Sequence, residues 1–231
     1  LTYKIAYLLE EGIVKPWEIL AITFTNKAAK EMKTRVESLI GENGNDIWLG
    51  TFHSVCVRIL KREINLIGYS TDFNIFDELD KEKVIKEVLK KLNIDDKVYP
   101  VSLIKYEISN AKDKMIDYVK YKNDAIGDFR KEKIAEVYEL YQKTLKQNNA
   151  LDFDDIIMLT VKIFLENPDR LNYYQNKFKY ILVDEYQDTN KVQFILISLL
   201  SAAHGKICVV GDESQSIYGF RGADISNILN F

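Results

Sequence analysis

The stretch 180–189 reads Tyr-Ile-Leu-Val-Asp-Glu-Tyr-Gln-Asp-Thr and decides the fold class of this 231-residue chain. Its apolar first half predicts a buried strand of a parallel sheet, because such strands are short and continuously apolar. The strand leads directly into Asp184 and Glu185, so two carboxylates follow its carboxyl end. Ligands of open α/β sheets bind at that end of the strands. The stretch therefore predicts an α/β fold with two acidic side chains at its ligand-binding edge.

The acidic pair Asp184 and Glu185 allows two interpretations. In phosphate chemistry, the first carboxylate holds Mg²⁺ through water, and the second orients or deprotonates an attacking water. In the alternative, the pair only caps a helix that begins near Thr189, since acidic side chains stabilise helix N-termini. The stretch by itself leaves both interpretations open.

A second stretch, residues 207–224, reads Ile-Cys-Val-Val-Gly-Asp-Glu-Ser-Gln-Ser-Ile-Tyr-Gly-Phe-Arg-Gly-Ala-Asp. A short apolar run is broken at Gly211 and is followed by a polar loop that carries Gln215, and then by aromatic residues and a cation. This pattern predicts another strand of the same sheet. The loop at its carboxyl end would bring Gln215 to the edge where the carboxylates lie.

These two stretches resemble helicase motifs II and III of the UvrD/Rep/PcrA family, which belongs to superfamily 1. Thr-Phe-Thr-Asn-Lys-Ala-Ala at 23–29 resembles motif Ia of the same family, and Gly-Thr-Phe-His-Ser at 50–54 resembles motif Ib. Leu-Asp-Phe-Asp-Asp at 151–155 is similar to its Asp-Phe-Asp-Asp-Leu motif. The motifs follow one another in the family's order, and the resemblance covers essentially the whole chain.

The resemblance implies a RecA-like P-loop NTPase domain, a parallel sheet flanked by helices, with an inserted all-helical subdomain. Residues 1–72 and 151–231 would form the two parts of the RecA-like domain 1A, and residues 73–150 the helical subdomain 1B. This central block carries 16 basic and 15 acidic residues among its 78 positions. Its apolar residues recur at helical spacing, as at Ile134 and Val137. Its many lysines are typical of a solvated helix face.

The function implied by the resemblance is the N-terminal ATPase and single-stranded-DNA-binding portion of an ATP-dependent 3′–5′ DNA helicase. Such an enzyme acts in DNA repair or replication and couples ATP hydrolysis to translocation on single-stranded DNA. The implied cofactors are ATP and Mg²⁺. The implied partners are single-stranded DNA, junctions with duplex, and repair or replication proteins, with the protein itself a monomer. Two alternatives stay open: the helicase part of a RecB/AddA-type helicase-nuclease, and a non-catalytic single-stranded-DNA-binding module.

Three residues carry the chemistry that the resemblance implies. Asp184 would organise the Mg²⁺ ion and help to bind the nucleotide, and Glu185 would act as general base. Gln215 would contact the γ-phosphate or the attacking water, and would couple the nucleotide state to DNA. Gln187 and Asp188 are expected to order the loop rather than to act in catalysis.

The resemblance also implies a set of DNA contacts at strand ends and helix starts, where aromatic rings stack on bases and polar groups bind phosphates. The set is Phe24, Thr25, Asn26, Thr51, His53, Ser54, Phe153, Tyr218, Phe220 and Arg221. Many family members have Trp at the position of Phe220, so this chain keeps the stacking group with a smaller ring. From the residues alone, Phe24 is equally a candidate core residue and His53 a candidate structural one. Phe52 and Cys56 are expected in the core.

Hydrophobic periodicity and capping residues predict the other elements. Asn26 is the expected N-cap of a helix that ends near residue 40, and Gly12 the expected C-terminal cap of the first helix. The aspartates at 152, 154 and 155 are expected to stabilise a helix start. The other predicted helices cover residues 1–11, 52–67, 80–92, 128–147 and 169–178. One further helix is expected to begin near residue 100, and another to end near residue 165. The other predicted strands cover residues 19–24 and 47–49.

Composition and charge exclude several classes of protein. No apolar run approaches the roughly 18 residues of a membrane span, and the first residues lack the layout of a signal peptide. The two cysteines, Cys56 and Cys208, offer no disulfide framework and no zinc site, so a reducing cytoplasm is the expected compartment. The formal net charge of −3 requires that any DNA-binding surface is a local stripe.

The sequence departs from the family pattern in what it lacks. No Gly-x-x-x-x-Gly-Lys-Thr phosphate loop occurs between residues 1 and 231, nor do the upstream adenine-reading Gln motif and the second RecA-like domain with its arginine fingers. Without the loop's Lys and Thr, the phosphates lose their cradle and Mg²⁺ loses a ligand. We therefore expect that this chain by itself hydrolyses no ATP.

Overall fold

The computed structural model of the chain describes residues 1–212. Within this range it forms six β-strands: β1 (Ile19–Thr23), β2 (Trp48–Thr51), β3 (Asn74–Ile75), β4 (Ala150–Leu151), β5 (Tyr180–Val183) and β6 (Ile207–Val209). The same residues form ten α-helices: α1 (Thr2–Glu10), α2 (Asn26–Ile40), α3 (Phe52–Glu63), α4 (Glu78–Lys91), α5 (Val101–Asp113), α6 (Tyr118–Asp124), α7 (Phe129–Gln147), α8 (Phe153–Glu166), α9 (Pro168–Lys177) and α10 (Lys191–Ser201). Short 3₁₀ turns cover Pro16–Glu18, Gly41–Asp46, Ile64–Ile67 and Tyr186–Asp188.

The chain divides into two compact units. The first contains Leu1–Ile59 together with the residues from Thr160 onward, and the second contains Leu60–Leu159. The second unit is therefore an insertion in the sequence of the first, and its boundaries fall inside α3 and α8. It is wider at both ends than the block 73–150 expected from composition. Composition does not reveal these boundaries, because both of them fall within continuous helices, where the sequence does not change character.

The first unit is built on a four-stranded sheet with the order β2-β1-β5-β6, in which all neighbouring strands are parallel. Ile22 of β1 lies opposite Val183 of β5, which in turn lies opposite Val209 of β6. All five residues of β1 are buried. Apolar runs buried on both faces are typical of the central strands of parallel sheets. The predicted α/β fold with a parallel sheet flanked by helices is confirmed.

Two helices, α1 and α2, pack apolar side chains into the core of this unit. Ile5 and Leu8 of α1 join Met32 and Val36 of α2 in one cluster that also contains Leu182 of β5. These side chains recur three or four residues apart, so they share one face of each helix. Full burial of such a side chain contributes roughly 1.5 to 3 kcal/mol.

The second unit packs α4, α5 and α7 around a separate apolar core. Val88, Ile104, Ile108, Val137 and Tyr141 are buried in this cluster. Two of these helices begin at capping aspartates: the Asp77 side chain accepts two backbone N–H bonds at the start of α4, two residues before the expected start at residue 80, and the Asp128 side chain does the same for α7. The predicted helical character of this block is seen in these elements.

Two short strands depart from the expected all-helical character of the central block. Asn74 of β3 lies opposite Ala150 of β4 in a parallel pair, and Ile75 lies opposite Leu151. The Phe76 N–H donates to the Leu151 carbonyl at 2.8 Å. Strands of two residues carry no alternating pattern that a sequence could show.

Of the helices that the structure describes, none combines the length and apolar character that a bilayer crossing requires.

Candidate active site

The candidate site lies at the edge of the first unit's sheet where its four parallel strands end. Asp184 and Glu185 directly follow β5. The Asp184 N–H donates to the Ile22 carbonyl of β1 at 2.9 Å, and the Tyr186 N–H donates to the Val210 carbonyl after β6 at 2.9 Å. The acidic pair is thus fixed by backbone bonds to the strand on either side.

The carboxylates of this pair have no cationic side chain as an ion partner among residues 1–212. Asp184 is half-buried, and burial, followed by the charge of Glu185, raises the pKa of its carboxyl. The described residues also hold no group of three or more His, Cys, Asp or Glu side chains that would bind a metal by themselves. A metal ion at Asp184 would therefore need other ligands, as Mg²⁺ does when it binds through one or two carboxylates and substrate phosphates.

The capping interpretation of this pair is wrong. The helix after it, α10, begins at Lys191 and is capped by Asn190, whose side chain accepts from the Gln193 N–H at 3.0 Å. The Gln193 side chain returns a bond to the Asn190 N–H at 3.0 Å, which completes a capping box. The Asp184 and Glu185 carboxylates are therefore not used at this helix start.

The Glu185 backbone adopts a left-handed conformation with φ 50° and ψ 41°, which non-glycine residues rarely use. The 3₁₀ turn that follows begins here, and the Asp188 N–H donates to the Glu185 carbonyl at 2.9 Å. The Gln187 side chain is buried and donates through Nε2 to the Glu185 carboxylate at 2.7 Å. Its Oε1 accepts from the Asp212 N–H at 3.0 Å. Gln187 thus orders this loop, as the sequence predicts.

A cavity of about 140 Å³ opens beside Asp184. It is lined by Leu1, Thr2, Ala28, Glu31, Met32, Arg35 and Asp184. The α2 residues follow the spacing of one helix face, so α2 presents Arg35 to the cavity that contains the Asp184 carboxylate. A carboxylate suits a divalent cation, whereas a guanidinium suits an anionic oxygen. The lining thus combines two carboxylates, Glu31 and Asp184, with one guanidinium, Arg35.

The predicted DNA contacts after β1 lie at this edge. Phe24 is partly buried, and its ring meets the buried Phe52 edge-on, with centroids 5.4 Å apart. Thr25 is exposed, and its hydroxyl oxygen accepts from the Ala28 N–H at 3.1 Å. Thr25 rather than Asn26 is therefore the N-cap of α2, because Thr25 keeps the extended backbone of a capping residue and Asn26 is already helical. The Asn26 side chain is exposed.

The predicted contacts after β2 are engaged in starting α3. Thr51 is buried, and its hydroxyl oxygen accepts from the Ser54 N–H at 3.2 Å. The Ser54 hydroxyl donates to the Thr51 carbonyl at 2.9 Å. A Cβ at Gly50 would meet the Ser54 hydroxyl oxygen, so a larger residue here would displace that side chain. A phosphate bound at this turn would have to compete with these local bonds, while His53 is partly buried beside them.

In the second unit, Phe153 is the first residue of α8 and its side chain is 54% exposed. The neighbouring aspartates have structural roles, as expected. The Asp155 N–H donates to Asp152 at 2.9 Å, and the Asp152 N–H donates to Asp155 at 3.2 Å, which forms a capping box of two buried carboxylates. The Phe153 ring thus remains partly exposed on a well fixed helix start.

Two buried lysines neutralise these aspartates. Lys112 Nζ lies 2.7 Å from Asp152 and 2.8 Å from Asp155, and Lys81 Nζ lies 2.7 Å from Asp154. Burial raises the pKa of Asp152, but the charges of Lys112 and Lys81 outweigh it and hold that pKa below its usual range. Burial also works against the charge of Lys112, yet the aspartates hold its pKa above the usual range.

The sequence profile of the UvrD/REP helicase N-terminal domain matches residues 1–231. The chain belongs to this family. It is 54% identical over 231 residues to the ATP-dependent DNA helicase PcrA of Staphylococcus epidermidis strain RP62A, and 52% identical to the protein of that name from Staphylococcus aureus strain Mu50. Each alignment covers 100% of this chain and 32% of the relative. The chain thus spans about a third of the length of these relatives.

Membership of the UvrD/REP helicase N-terminal domain family confirms the resemblance seen in the motifs. The predicted site residues in the 1–212 range fall into two sets: those at the sheet edge of the first unit, and Phe153 in the second unit. Gln215, Tyr218, Phe220 and Arg221 lie outside the described residues. Their roles stay predictions.

The sequence analysis missed two residues of the site. Arg35 stands seven residues after Ala28 on the same face of α2, and this spacing was the available signal. Thr23 ends β1 with a fully buried hydroxyl that has no hydrogen-bond partner among the described residues. An apolar-looking strand gives no sign of such an unsatisfied group. Buried polar groups without partners are rare, and they mark places where a ligand or water is expected.

Proposed function

We propose that the protein is an ATP-dependent DNA helicase and that Asp184 and Glu185 belong to its ATP-hydrolysing site. One observation carries this proposal: two adjacent carboxylates, Asp184 half-buried and Glu185 exposed, lie at the carboxyl edge of a parallel sheet, beside a helix that has its own cap, and have no cationic side chain as an ion partner among residues 1–212. Burial works against the ionised form of Asp184, and a bound cation would offset that cost. The names of the relatives support ATP and DNA as substrates.

Asp184 fits the role of Mg²⁺ ligand. The causes that raise its pKa, burial and the Glu185 charge, would be offset by a bound divalent cation. When bound, Mg²⁺ neutralises charge on the phosphate oxygens of the nucleotide. Arg35 and Thr2 line the same cavity, where they would hold the anionic part of the nucleotide in place.

Glu185 fits the role of general base toward the attacking water. It directly follows the metal-binding position, and its carboxylate is held from one side by an amide donor that brings no charge. A base must be fixed in orientation while it keeps its capacity to accept a proton. Gln215 would complete the site by contacting the γ-phosphate or the water, as the family resemblance implies.

The same sheet edge would bind the DNA strand. Phe24 offers a partly exposed ring for stacking, while Thr25, Asn26, Thr51, His53 and Ser54 offer polar groups at helix starts. In the second unit, Phe153 offers a second exposed ring. We further propose that the first unit corresponds to domain 1A and the second to 1B. Translocation in the 3′–5′ direction, and a role in repair or replication, follow from the family alone.

The test is ATP turnover by the full-length protein, with and without a single-stranded oligonucleotide, for the wild type and the Glu185→Gln variant. We expect DNA-stimulated turnover that falls by at least about 100-fold in the variant while DNA binding survives. Glu10→Gln, at an exposed position of α1, is the matched control and should turn over normally. No turnover by the wild type, together with tight and salt-sensitive oligonucleotide binding, would instead establish a binding module.

A further inference from the structure

The Gln187 side chain joins two parts of the site that are distant in sequence. It is 1% exposed, and its amide nitrogen lies 2.7 Å from a Glu185 carboxylate oxygen. Its carbonyl oxygen accepts from the backbone N–H of Asp212, 25 residues further along the chain, at 3.0 Å. One buried amide therefore connects the acidic loop after β5 with the loop after β6.

The orientation of this amide is fixed by the chemistry at both ends. Glu185 presents a carboxylate, which only accepts, and Asp212 presents an N–H, which only donates. A flipped amide would set oxygen against oxygen at one end and nitrogen against N–H at the other. Both bonds would be lost in a buried place, where an unsatisfied polar group costs about 1 to 3 kcal/mol. Gln187 is thus locked in a single orientation.

Glu185 needs such an anchor because its backbone is strained. Its left-handed conformation, with φ 50°, is unfavourable for a residue with a Cβ and is maintained only where surrounding bonds enforce it. The backbone bonds of Asp184 to β1 and of Tyr186 to the strand end of β6 fix its neighbours. The Gln187 bond then fixes the carboxylate itself.

We propose that Gln187 is a positioning residue for ATP hydrolysis: it holds the Glu185 carboxylate in its reactive orientation and ties that orientation to the backbone at Asp212. This inference rests on the proposed role of Glu185 as general base. A displacement of the loop after β6 would release the Gln187 oxygen, and the amide would then lose its fixed orientation toward Glu185. The orientation of the Glu185 carboxylate would thus depend, through the neutral Gln187 amide, on the conformation of the loop after β6.

The test uses the full-length protein with Gln187→Glu and Gln187→Met. The first keeps an acceptor for the Asp212 N–H but sets a carboxylate against Glu185, and the second has similar length and neither polar group. We expect kcat for DNA-stimulated ATP hydrolysis to fall about 10- to 100-fold in both, because a displaced base loses its alignment with the water. The KM for ATP and the affinity for the oligonucleotide should stay within about threefold, since Gln187 does not line the cavity.

Gln193→Met is the matched control, because Gln193 is also a buried glutamine but belongs to the capping box of α10. It should lower thermal stability without lowering kcat at temperatures where the protein is folded. The double variant Glu185→Gln/Gln187→Met should be no slower than Glu185→Gln alone, because a positioning residue acts only through the base.

The outcomes separate this inference from the proposed function. Absence of turnover in the wild type would remove the proposed function itself. Normal turnover in the wild type, with kcat within twofold of it in both folded Gln187 variants, would overturn the positioning role alone. Equal losses in kcat and in ATP affinity, or unfolding of both variants, would assign Gln187 to stability and would also overturn the proposal.

Discussion

The aspartates at the start of α8 and the acidic pair after β5 differ in whether lysine side chains of the chain supply their counterions. Each α8 aspartate faces a lysine, with Lys112 between Asp152 and Asp155 and Lys81 against Asp154. The pair after β5 has no cationic side chain as a partner among residues 1–212. Buried carboxylates that are paired within the chain depend on those counterions, because removal of one partner leaves an uncompensated buried charge. Carboxylates without a cation in a partly buried edge are positioned for a ligand that brings one.

The comparison also distinguishes aspartates with a structural role from carboxylates that we propose to act in catalysis, although the two stretches look alike in sequence. Both groups consist of adjacent acidic residues at the start of a helix or turn, and both follow a short strand. The deciding difference is the presence of lysines from α4 and α5, which the chain supplies in three dimensions and not in sequence. Acidic pairs should therefore be judged by their counterions.

Replacement of Lys112 by Met is the largest expected perturbation. Lys112 is fully buried, and its loss leaves Asp155 without its cation and leaves Asp152 with only Lys81, whose Nζ lies 3.5 Å away. We expect the free energy of unfolding of this chain to fall by about 3 to 5 kcal/mol. Urea denaturation followed by circular dichroism measures this change.

The control for this prediction is Lys86→Met in the exposed Lys86–Glu82 pair of α4, where Nζ lies 2.8 Å from the carboxylate. Its loss should cost no more than about 0.5 kcal/mol. Equal effects of the two substitutions would contradict the view that the α8 aspartates depend on buried counterions.

The second prediction concerns Asp113, at the end of α5, which lies in the electrostatic reach of the same cluster. Burial, and then the charge of Asp154, raise the pKa of this carboxyl to about 7. Because the folded-state pKa lies above the unfolded value of about 4, its contribution to stability is present at low pH and is lost as the pH rises toward 7. Asp113→Asn should therefore stabilise the chain at pH 8 by about 1 kcal/mol, after allowance for partial solvent screening.

The measurement is the free energy of unfolding at pH 5 and pH 8 for the wild type and Asp113→Asn. The difference between the two proteins should be larger at pH 8 than at pH 5. A difference that is independent of pH would show that Asp113 acts through its shape rather than through its charge.

The smallest expected effect is that of Asp184→Asn. The raised pKa of Asp184 means that its ionised form costs free energy in the folded state above that pKa, so Asn should stabilise the chain at pH 8 by a few tenths of a kcal/mol, given the exposure of the group. Mg²⁺ added together with ATP should raise the melting temperature of the full-length wild type and not that of the variant. Glu10→Gln serves as the control and should respond to Mg²⁺ as the wild type does. A Mg²⁺ response that survives in Asp184→Asn would place the ion elsewhere.

The sequence predicted the parallel sheet and the position of the acidic pair because both depend on local pattern. The apolar run 180–183 specifies a buried strand whatever surrounds it, and the residues after it must then lie at its carboxyl end. The predicted helix starts near residues 80 and 128 lie within two residues of the observed starts of α4 and α7. Even so, the cap of α2 was assigned one residue late, to Asn26 instead of Thr25, because both residue types are good caps.

The parts that could not be predicted depend on contacts between distant residues. Nothing near Asp152 in sequence announces Lys112, 40 residues earlier. The bond from Gln187 to the Asp212 backbone spans 25 residues. The pairing of β3 with β4 joins two segments that are each two residues long, and no periodic pattern exists at that length.

The most direct test of the account measures Glu185→Gln and Lys112→Met side by side, each for DNA-stimulated ATP turnover of the full-length protein and for stability. The account predicts that Glu185→Gln lowers turnover by at least about 100-fold and leaves stability nearly unchanged. It predicts that Lys112→Met loses several kcal/mol of stability and keeps kcat at temperatures where it is folded. Turnover that survives in Glu185→Gln, or a folded Lys112→Met protein without turnover, would contradict the assignment of the acidic pair to chemistry and of the α8 aspartates to structure.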